Sequence, residues 1–379
     1  MAGGDSERRG RGPALGAGPS AAEWDEATDV AVVGAGPCGL AVGIAATRGG
    51  LSSVLFDRSC VLSGIVGYPT YMTFFSTAER LSIGDVPFIV ATDKPTRRDA
   101  LAYYRTLVQH FRLAVRQYEP VETVQRIAPG GPPPKNKIAA DAPRPITKRP
   151  HTRISRDARF IVTSRTQSGH PRRTAAHAVV IATGYFGRPN PLGVPGEDLP
   201  HVTHRFTEGH VDFDRDVVVV GGGNSAVEAT LELYRAGARV TLVHFGPTFD
   251  RNIKPWVLPD ITNRIAEGAI AARWEARVAA IEPEAVIVKG PFGKARIGAQ
   301  KVYTMIGYMP ETGLLEALDV PLDPKTGVPA HDPETMETSI PGVFIAGVIA
   351  SGFDANKTFI ENGRGHGALI VTRVKETLR

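Results

Sequence analysis

The sequence predicts an α/β fold of two dinucleotide-binding, Rossmann-like units, the second inserted into a split first unit. Three observations carry the prediction. An apolar run, Val30 to Val33, enters Gly34-Ala35-Gly36-Pro37-Cys38-Gly39 and an Ala-rich helical stretch to Ala46. The pattern recurs where Val217 to Val220 enter Gly221-Gly222-Gly223-Asn224-Ser225-Ala226 and a helical run ending before Gly237. Each unit then has a second strand pattern, whose end lies at the same offset from its first glycine: Asp57 (57 − 34 = 23) and His244 (244 − 221 = 23).

The physics of such a turn is specific. The chain reverses between strand and helix, and the helix N-terminus with its free N–H groups faces a pyrophosphate. At Gly34 and Gly36 of the first turn, and at Gly221 and Gly223 of the second, no Cβ blocks its approach. Pro37 belongs to the same candidate cofactor turn, and Gly39 and Ala226 fill the third small-residue position of GxGxxG and GxGxxA. A glycine turn alone is weak, the alternative being an ordinary βα turn; strand, turn, helix and second strand in order are the context it demands.

The residues at the second-strand ends separate the two ligands. Asp57 suits a ribose with a free 2′-hydroxyl. An acid would repel a 2′-phosphate, whereas His244, with Arg251 and Lys254 nearby, would accept one, so NADP(H) is expected over NAD(H). The alternative is that these three are unremarkable surface charges. Two nucleotides in one chain imply a hydride donor and a bound acceptor, and a flavin is the acceptor that fits.

A chain of 379 residues holds two domains with ample core. Its 42% hydrophobic content and mean hydropathy of −0.09 suit a soluble globular protein, and no apolar run approaches a membrane span. Residues 1–24 lack the apolar stretch of a secretory signal and read as a disordered tail. Two cysteines, Cys38 and Cys60, form neither a disulfide framework nor a CxxC pair, so a reducing cytoplasm is expected. The net charge of +5 is local: residues 128–159 carry eight basic and two acidic side chains (8 − 2 = +6), leaving about −1 elsewhere. This Pro-rich insert has no aromatic residue between Pro129 and Arg159 to stack bases, so a solvated loop is expected rather than a nucleic-acid site.

Between the two units the chain is less regular. Residues 64–85 mix Gly, Tyr, Phe and Ser or Thr in a stretch too irregular for helix or strand. That stretch, Tyr68 included, suits a loop lining a flat aromatic ligand. Arg97 to Phe111 has helical spacing with Asp99 near its start. Val115 to Ile127 reads as one or two strands, and Phe160 to Thr163 resumes beyond the insert as its antiparallel neighbour. Ala178 to Ile181 is a buried strand running into Ala182-Thr183-Gly184, and prolines 189, 191, 195 and 200 mark a domain border. Lys301 to Ile306 is strand-like and is expected to return to the first unit. Gly342 to Gly347 is a strand and turn, and Asn356 to Leu378 is expected as a helix whose N-terminus faces the flavin. The expected division is 25–188 with 300–379 for the flavin unit and 189–299 for the NADP(H) unit.

ATG at 182–184, GGGNSAVE at 221–228 and IGYMPETGLL at 306–315 resemble thioredoxin-reductase-type flavoproteins. More specifically, GAGPCGL (34–40), YPTYMTFFSTAERLSIGD (68–85), KPWVLPD (254–260) and FIAGVIASGFDANKTFIENGRGHG (344–367) are similar to the YpdA family of bacillithiol disulfide reductases. The resemblance runs from about residue 28 to the C-terminus, outside the tail and insert. It implies FAD, NADPH and reduction of a low-molecular-weight thiol disulfide, with the family's glycine-turn cysteine falling on Cys38. Two departures from the wider superfamily stand out. The thioredoxin-reductase CxxC is absent, and the usual Gly-Asp at the flavin ribityl chain reads Gly347-Val348, as in the YpdA-like motif.

Cys38 has two readings at this stage. A helix N-terminus lowers a thiol pKa and favours a nucleophile, while a turn that merely needs a small residue would equally accept cysteine. The expected protein is thus an FAD/NADPH oxidoreductase acting on a small disulfide, without membrane or nucleic-acid partner, as a homodimer or homotetramer. Its rivals are a flavin monooxygenase, suggested by ATGYFGRPNPLGVPG (182–196) and His204, a ferredoxin-NADP reductase, and a flavin redox sensor.

Overall fold

The computed structural model describes residues 24–127 and 158–378, so the expectations for the tail and the basic insert lie outside the described residues. The larger sheet has seven strands in the order β3-β2-β1-β6-β5-β4, with a last strand, β17, also paired to β6. These are β1 (Glu26–Val33), β2 (Ser53–Phe56), β3 (Ala114–Arg116), β4 (Val121–Arg126), β5 (Phe160–Arg165), β6 (Pro171–Ile181) and β17 (Val343–Ile345). β6 runs to 11 residues because its two halves do different work. Its first half forms an antiparallel hairpin with β5, its second half pairs in parallel with β17, and β1 runs along it from Thr174 to Ile181. Val30 to Val32 and Val179 to Ile181 are fully buried, as a parallel sheet covered on both faces requires.

Helix α1 (Pro37–Arg48) crosses from β1 to β2 and packs between the sheet and α9 (His366–Thr377). Its run of Gly, Ala, Leu, Val and Ile leaves residues 39–44 and Ala46 buried. α4 (Arg97–His110) starts in a reciprocal capping box: Thr96 Oγ1 accepts from the Asp99 N–H at 3.3 Å and Asp99 Oδ2 accepts from the Thr96 N–H at 2.9 Å. The irregular stretch after β2 folds as two single turns, α2 (Ser63–Val66) and α3 (Ala78–Leu81), joined by loop.

The second sheet is parallel, ordered β11-β10-β9-β15-β8. It comprises β8 (Val202–Thr203), β9 (Asp216–Val220), β10 (Arg239–Val243), β11 (Ala271–Arg273) and β15 (Lys301–Thr304), with α5 (Asn224–Arg235) and α6 (Leu258–Ala266) as its helices. An antiparallel layer of β12 (Arg277–Glu282), β13 (Ala285–Gly290) and β14 (Gly293–Gly298) packs beside it. β7 (Arg188–Pro189) pairs with β16 (Tyr308–Met309) where the chain leaves and re-enters the larger sheet's neighbourhood. The remaining helices are a short α7 (Gly313–Glu316), α8 (Ile360–Gly363) and two 3-10 turns at His210–Asp212 and Gly347–Ser351 among the described residues.

Two expectations need correcting. Lys301 to Thr304 does not return to the first sheet: Val302 pairs with Val218 and Val202, inside the second. The parallel β9 leaves an edge that this Val-Tyr-Thr strand fills, so the chain returns only after Thr304. Asn356 to Leu378 is not one helix but α8 and α9, and α8 begins at Ile360. Glycines at 363, 365 and 367 each weaken a helix by about 1 kcal/mol, and together they break it.

One buried pair offers a stability test. Glu119 is 5% exposed; it accepts from Arg172 Nη1 at 2.8 Å and from Ser164 Oγ at 2.7 Å. Glu119→Gln removes one partner and leaves Arg172 without its counter-charge. We expect a loss of about 3 kcal/mol, read by urea denaturation of the FAD-loaded protein.

Candidate functional site

The end of β1 places the first turn. The Gly34 N–H donates to Phe56 O at 2.7 Å, which ties the turn to β2. Gly34 has φ +114°, and a Cβ there would lie 2.2 Å from Ala182 O, so the turn closes directly onto the end of β6. Gly36 is different: its φ of −77° suits any residue and a Cβ would meet nothing within 4 Å, because it faces open cavity. Gly39 holds α1 against the turn, its Cβ position being 2.0 Å from Gly34 O.

Asp57 ends β2 and is 8% exposed. Its Oδ2 accepts from the Ala35 N–H at 3.0 Å; its Oδ1 accepts from the Ser59 N–H at 2.9 Å and from Ser63 Oγ at 3.2 Å. A carboxylate has about four lone-pair sites, so three are used in shaping the turn and one is free for a ribose hydroxyl. Thr183 and Gly184 follow β6, with Thr183 Oγ1 donating to Glu311 O at 3.3 Å. The Gly347 N–H donates to His366 Nδ1 at 3.2 Å, so the imidazole proton sits on Nε2; burial holds the pKa of His366 below its usual value.

Cys38 is the second residue of α1. A Cβ on Gly347 would stand 3.0 Å from its Sγ and one on Gly363 2.9 Å, so the thiol nests between two glycine backbones. Burial pushes its pKa up to about 12, against the lowering expected of a helix N-terminus. Desolvation wins here because Cys38 is held among apolar and backbone atoms. Tyr68 is raised to about 12 as well, first by burial and then by Cys38 beside it. Cys60 lines the same cavity near Asp57.

The second turn opens α5. Asn224 ties it to the following loop, donating from Nδ2 to Asn252 O at 2.8 Å and accepting at Oδ1 from the Lys254 N–H at 2.9 Å. Gly221, Gly223 and Ser225 line the cavity, while Ala226 is fully buried beneath Gly221. Of the three expected phosphate contacts, the structure leaves one in the open. His244 is 3% exposed, its ring lies against Gly222, and its Nδ1 has no hydrogen-bond partner. Burial lowers its pKa, opposed by Asp250. Lys254 is 8% exposed; its ammonium pairs with Glu228 and sits 3.5 Å from the Phe75 ring centroid. Arg251 alone is exposed, and it makes no hydrogen bond or ion pair among the described residues.

Both turns open into one cavity of about 1840 Å³. A single drug-sized ligand occupies roughly 300–1,000 Å³, so this space suits two nucleotides. The fit is also local: the cavity reaches the unobstructed side of Gly36, the backbone of Gly223 and the side chain of Asp57. Edge-to-face aromatics, Tyr68 to Phe186 at 6.0 Å and Phe186 to Tyr308 at 5.4 Å, form part of the cavity wall. Sequence reading named the glycines, Asp57 and Tyr68 but not Phe186, Phe245 or Lys94, which also line the cavity. A single exposed side chain in a loop, aromatic or basic, gives no periodic signal, so these were not legible.

A family model described as pyridine nucleotide-disulphide oxidoreductase matches residues 31–130 and 152–347. Bacilliredoxin reductase Bdr of Bacillus subtilis (strain 168) is 40% identical over 344 residues, 90% of this chain and 96% of that protein. The solved structure of Bacillithiol Disulfide Reductase Bdr (YpdA) from Bacillus cereus matches with TM-score 0.83 at 38% identity, over 93% of this chain and all (100%) of that one. Its counterpart from Staphylococcus aureus matches with TM-score 0.80 at 36% identity, over 93% and 99%. The chain belongs to the pyridine nucleotide-disulphide oxidoreductase family, as an FAD- and NADPH-dependent flavoprotein.

Proposed function

We propose that this protein reduces the disulfide of a low-molecular-weight thiol, with bacillithiol disulfide as the substrate, at the expense of NADPH. The observation that carries the reading is the shared cavity: both glycine turns face it, and a thiol stands in the wall of the first. Two relatives are named for bacillithiol disulfide and one for bacilliredoxin, which makes a small disulfide and a small-protein disulfide the two substrates to compare.

In this reading the Gly34 turn would hold FAD and the Gly221 turn NADPH, and the bound pair would supply two reducing equivalents for a disulfide. The chain's own residues do the rest. Gly34, Gly36, Pro37 and Gly39 form the pyrophosphate cradle, and Asp57 takes the ribose with its free lone pair. Tyr68, Thr183, Gly184 and Gly347 wall the cavity around the flavin site. Gly221, Gly223, Asn224 and Ser225 hold the second nucleotide, and Ala226 packs beneath them to support the turn. Cys38 Sγ attacks one sulfur of the substrate, forming a mixed disulfide while the other half leaves as thiolate and takes up a proton. Two electrons and two protons then cleave the mixed disulfide, releasing the bound half as a thiol and restoring the Cys38 thiol. The division into an FAD unit, split by an NADPH unit, a homo-oligomeric state and a cytoplasmic location belong to the same proposal.

Anaerobic addition of NADPH should bleach the flavin spectrum, and bacillithiol disulfide should restore it. NADPH consumption with bacillithiol disulfide, glutathione disulfide and bacillithiolated bacilliredoxin identifies the substrate. Bleaching without reoxidation by any of the three removes the disulfide reading.

A further inference from the structure

We propose that Arg277, stacked on Phe245, is the residue of this chain that selects the 2′-phosphate of NADPH, in place of His244 and Lys254. This deepens the proposed function and rests on its NADPH site at the Gly221 turn. The end of β10 is where the ribose 2′ substituent of a Rossmann-bound nucleotide lies. His244 occupies that end but is enclosed between Gly222 and Gly246, 2.3 Å and 2.7 Å from their Cβ positions. Lys254 is committed to Glu228 and Phe75. Neither presents a free cation.

The next residue does present a surface. Phe245 is 59% exposed and lines the cavity, and the Arg277 guanidinium carbon lies 4.8 Å from its ring centroid. Backbone hydrogen bonds fix this placement. The His244 N–H donates to Arg273 O at 2.9 Å, the Ala276 N–H to His244 O at 3.0 Å, and the Glu275 N–H to Gly246 O at 2.9 Å. Arg277, the first residue of β12, is thereby held beside the loop that follows β10. Its side chain is exposed and, among the described residues, has no carboxylate partner. A guanidinium stacked on an aromatic ring keeps its N–H edge free in the plane, the geometry that binds phosphate through two parallel hydrogen bonds. Arg251, exposed and unpaired in the same loop, adds a second positive charge. The acids nearby, Asp250 beside His244 and the exposed Glu275, leave Arg277 unpaired.

The test is calorimetric titration of the FAD-loaded protein with 2′,5′-ADP and with 5′-AMP, which differ by the phosphate alone. We expect the wild type to prefer 2′,5′-ADP. Arg277→Met should weaken 2′,5′-ADP about tenfold and leave 5′-AMP within about threefold. Arg277→Lys, which keeps the charge but not the fork, should fall between, and His244→Asn should keep the wild-type ratio. Retained 5′-AMP binding also reports that each variant is folded. A preference that survives Arg277→Met, equal losses for both probes, or a collapse in His244→Asn overturns the assignment to Arg277. A wild type with no preference overturns the NADPH reading itself and the assignment with it.

Discussion

Gly36→Ala is expected to give a folded, colourless protein. Gly36 has an ordinary extended conformation, and the added methyl meets no protein atom within 4 Å, so the apoprotein loses nothing. The methyl instead projects into the space a pyrophosphate needs to reach the α1 N-terminus. We expect bound FAD below a tenth of the wild-type stoichiometry, with the melting temperature of the variant equal to that of wild-type apoprotein. Gly34→Ala should behave in the opposite way. At φ +114°, with Ala182 O 2.2 Å from the new Cβ, the ends of β1 and β6 must separate, so the protein should be insoluble or strongly destabilised before any ligand is considered. Absorbance at the flavin band against total protein, with thermal melts of the stripped proteins, separates the two. Full FAD content in Gly36→Ala would mean that this turn does not hold the pyrophosphate.

The same pair of glycines shows how far the sequence could be read. Both turns, their strands and the 23-residue offsets are local patterns, and local patterns write themselves into a sequence as spacing. The capping box at Thr96 and Asp99 is of the same kind. What could not be read depends on contacts between distant segments. Lys301 to Thr304 has no feature that says which of two parallel sheets it joins; the choice is made by the open edge of β9. His244 sits at the expected offset, yet whether its ring faces solvent or folds under Gly222 is decided by the Trp274 and Gly246 side of the loop. Arg277 comes from a strand 33 residues further on (277 − 244 = 33) and reaches the site through backbone pairing. Cys38 was the clearest case: its helix position pointed to a low pKa, while its burial against Gly347 and Gly363, which raises it, is a tertiary fact.

Cys38→Ser should separate the two halves of the reaction and carries the largest expected change in turnover. NADPH-dependent bleaching depends on the two nucleotide turns and should proceed at the wild-type rate. If the thiol is the nucleophile, disulfide reduction should fall on the order of 10³-fold, since the hydroxyl cannot form the mixed disulfide. A thiol with pKa about 12 is deprotonated in only about one molecule in 10⁵ at pH 7. The disulfide half-reaction of the wild type should therefore speed up close to tenfold per pH unit between pH 6 and 9. The same burial fixes the sign of a stability effect. A thiol whose folded pKa lies above its ordinary value of 9.0 stabilises the fold fully below pH 9, and that contribution is lost as the pH climbs from there toward 12. Wild type should lose about 2 kcal/mol more than Cys38→Ser between pH 9 and 11, because serine has no proton to give up in that range. Disulfide turnover unchanged in Cys38→Ser would leave the alkaline stability difference intact and would assign Cys38 to packing alone, the small residue that the approach of Gly347 and Gly363 requires.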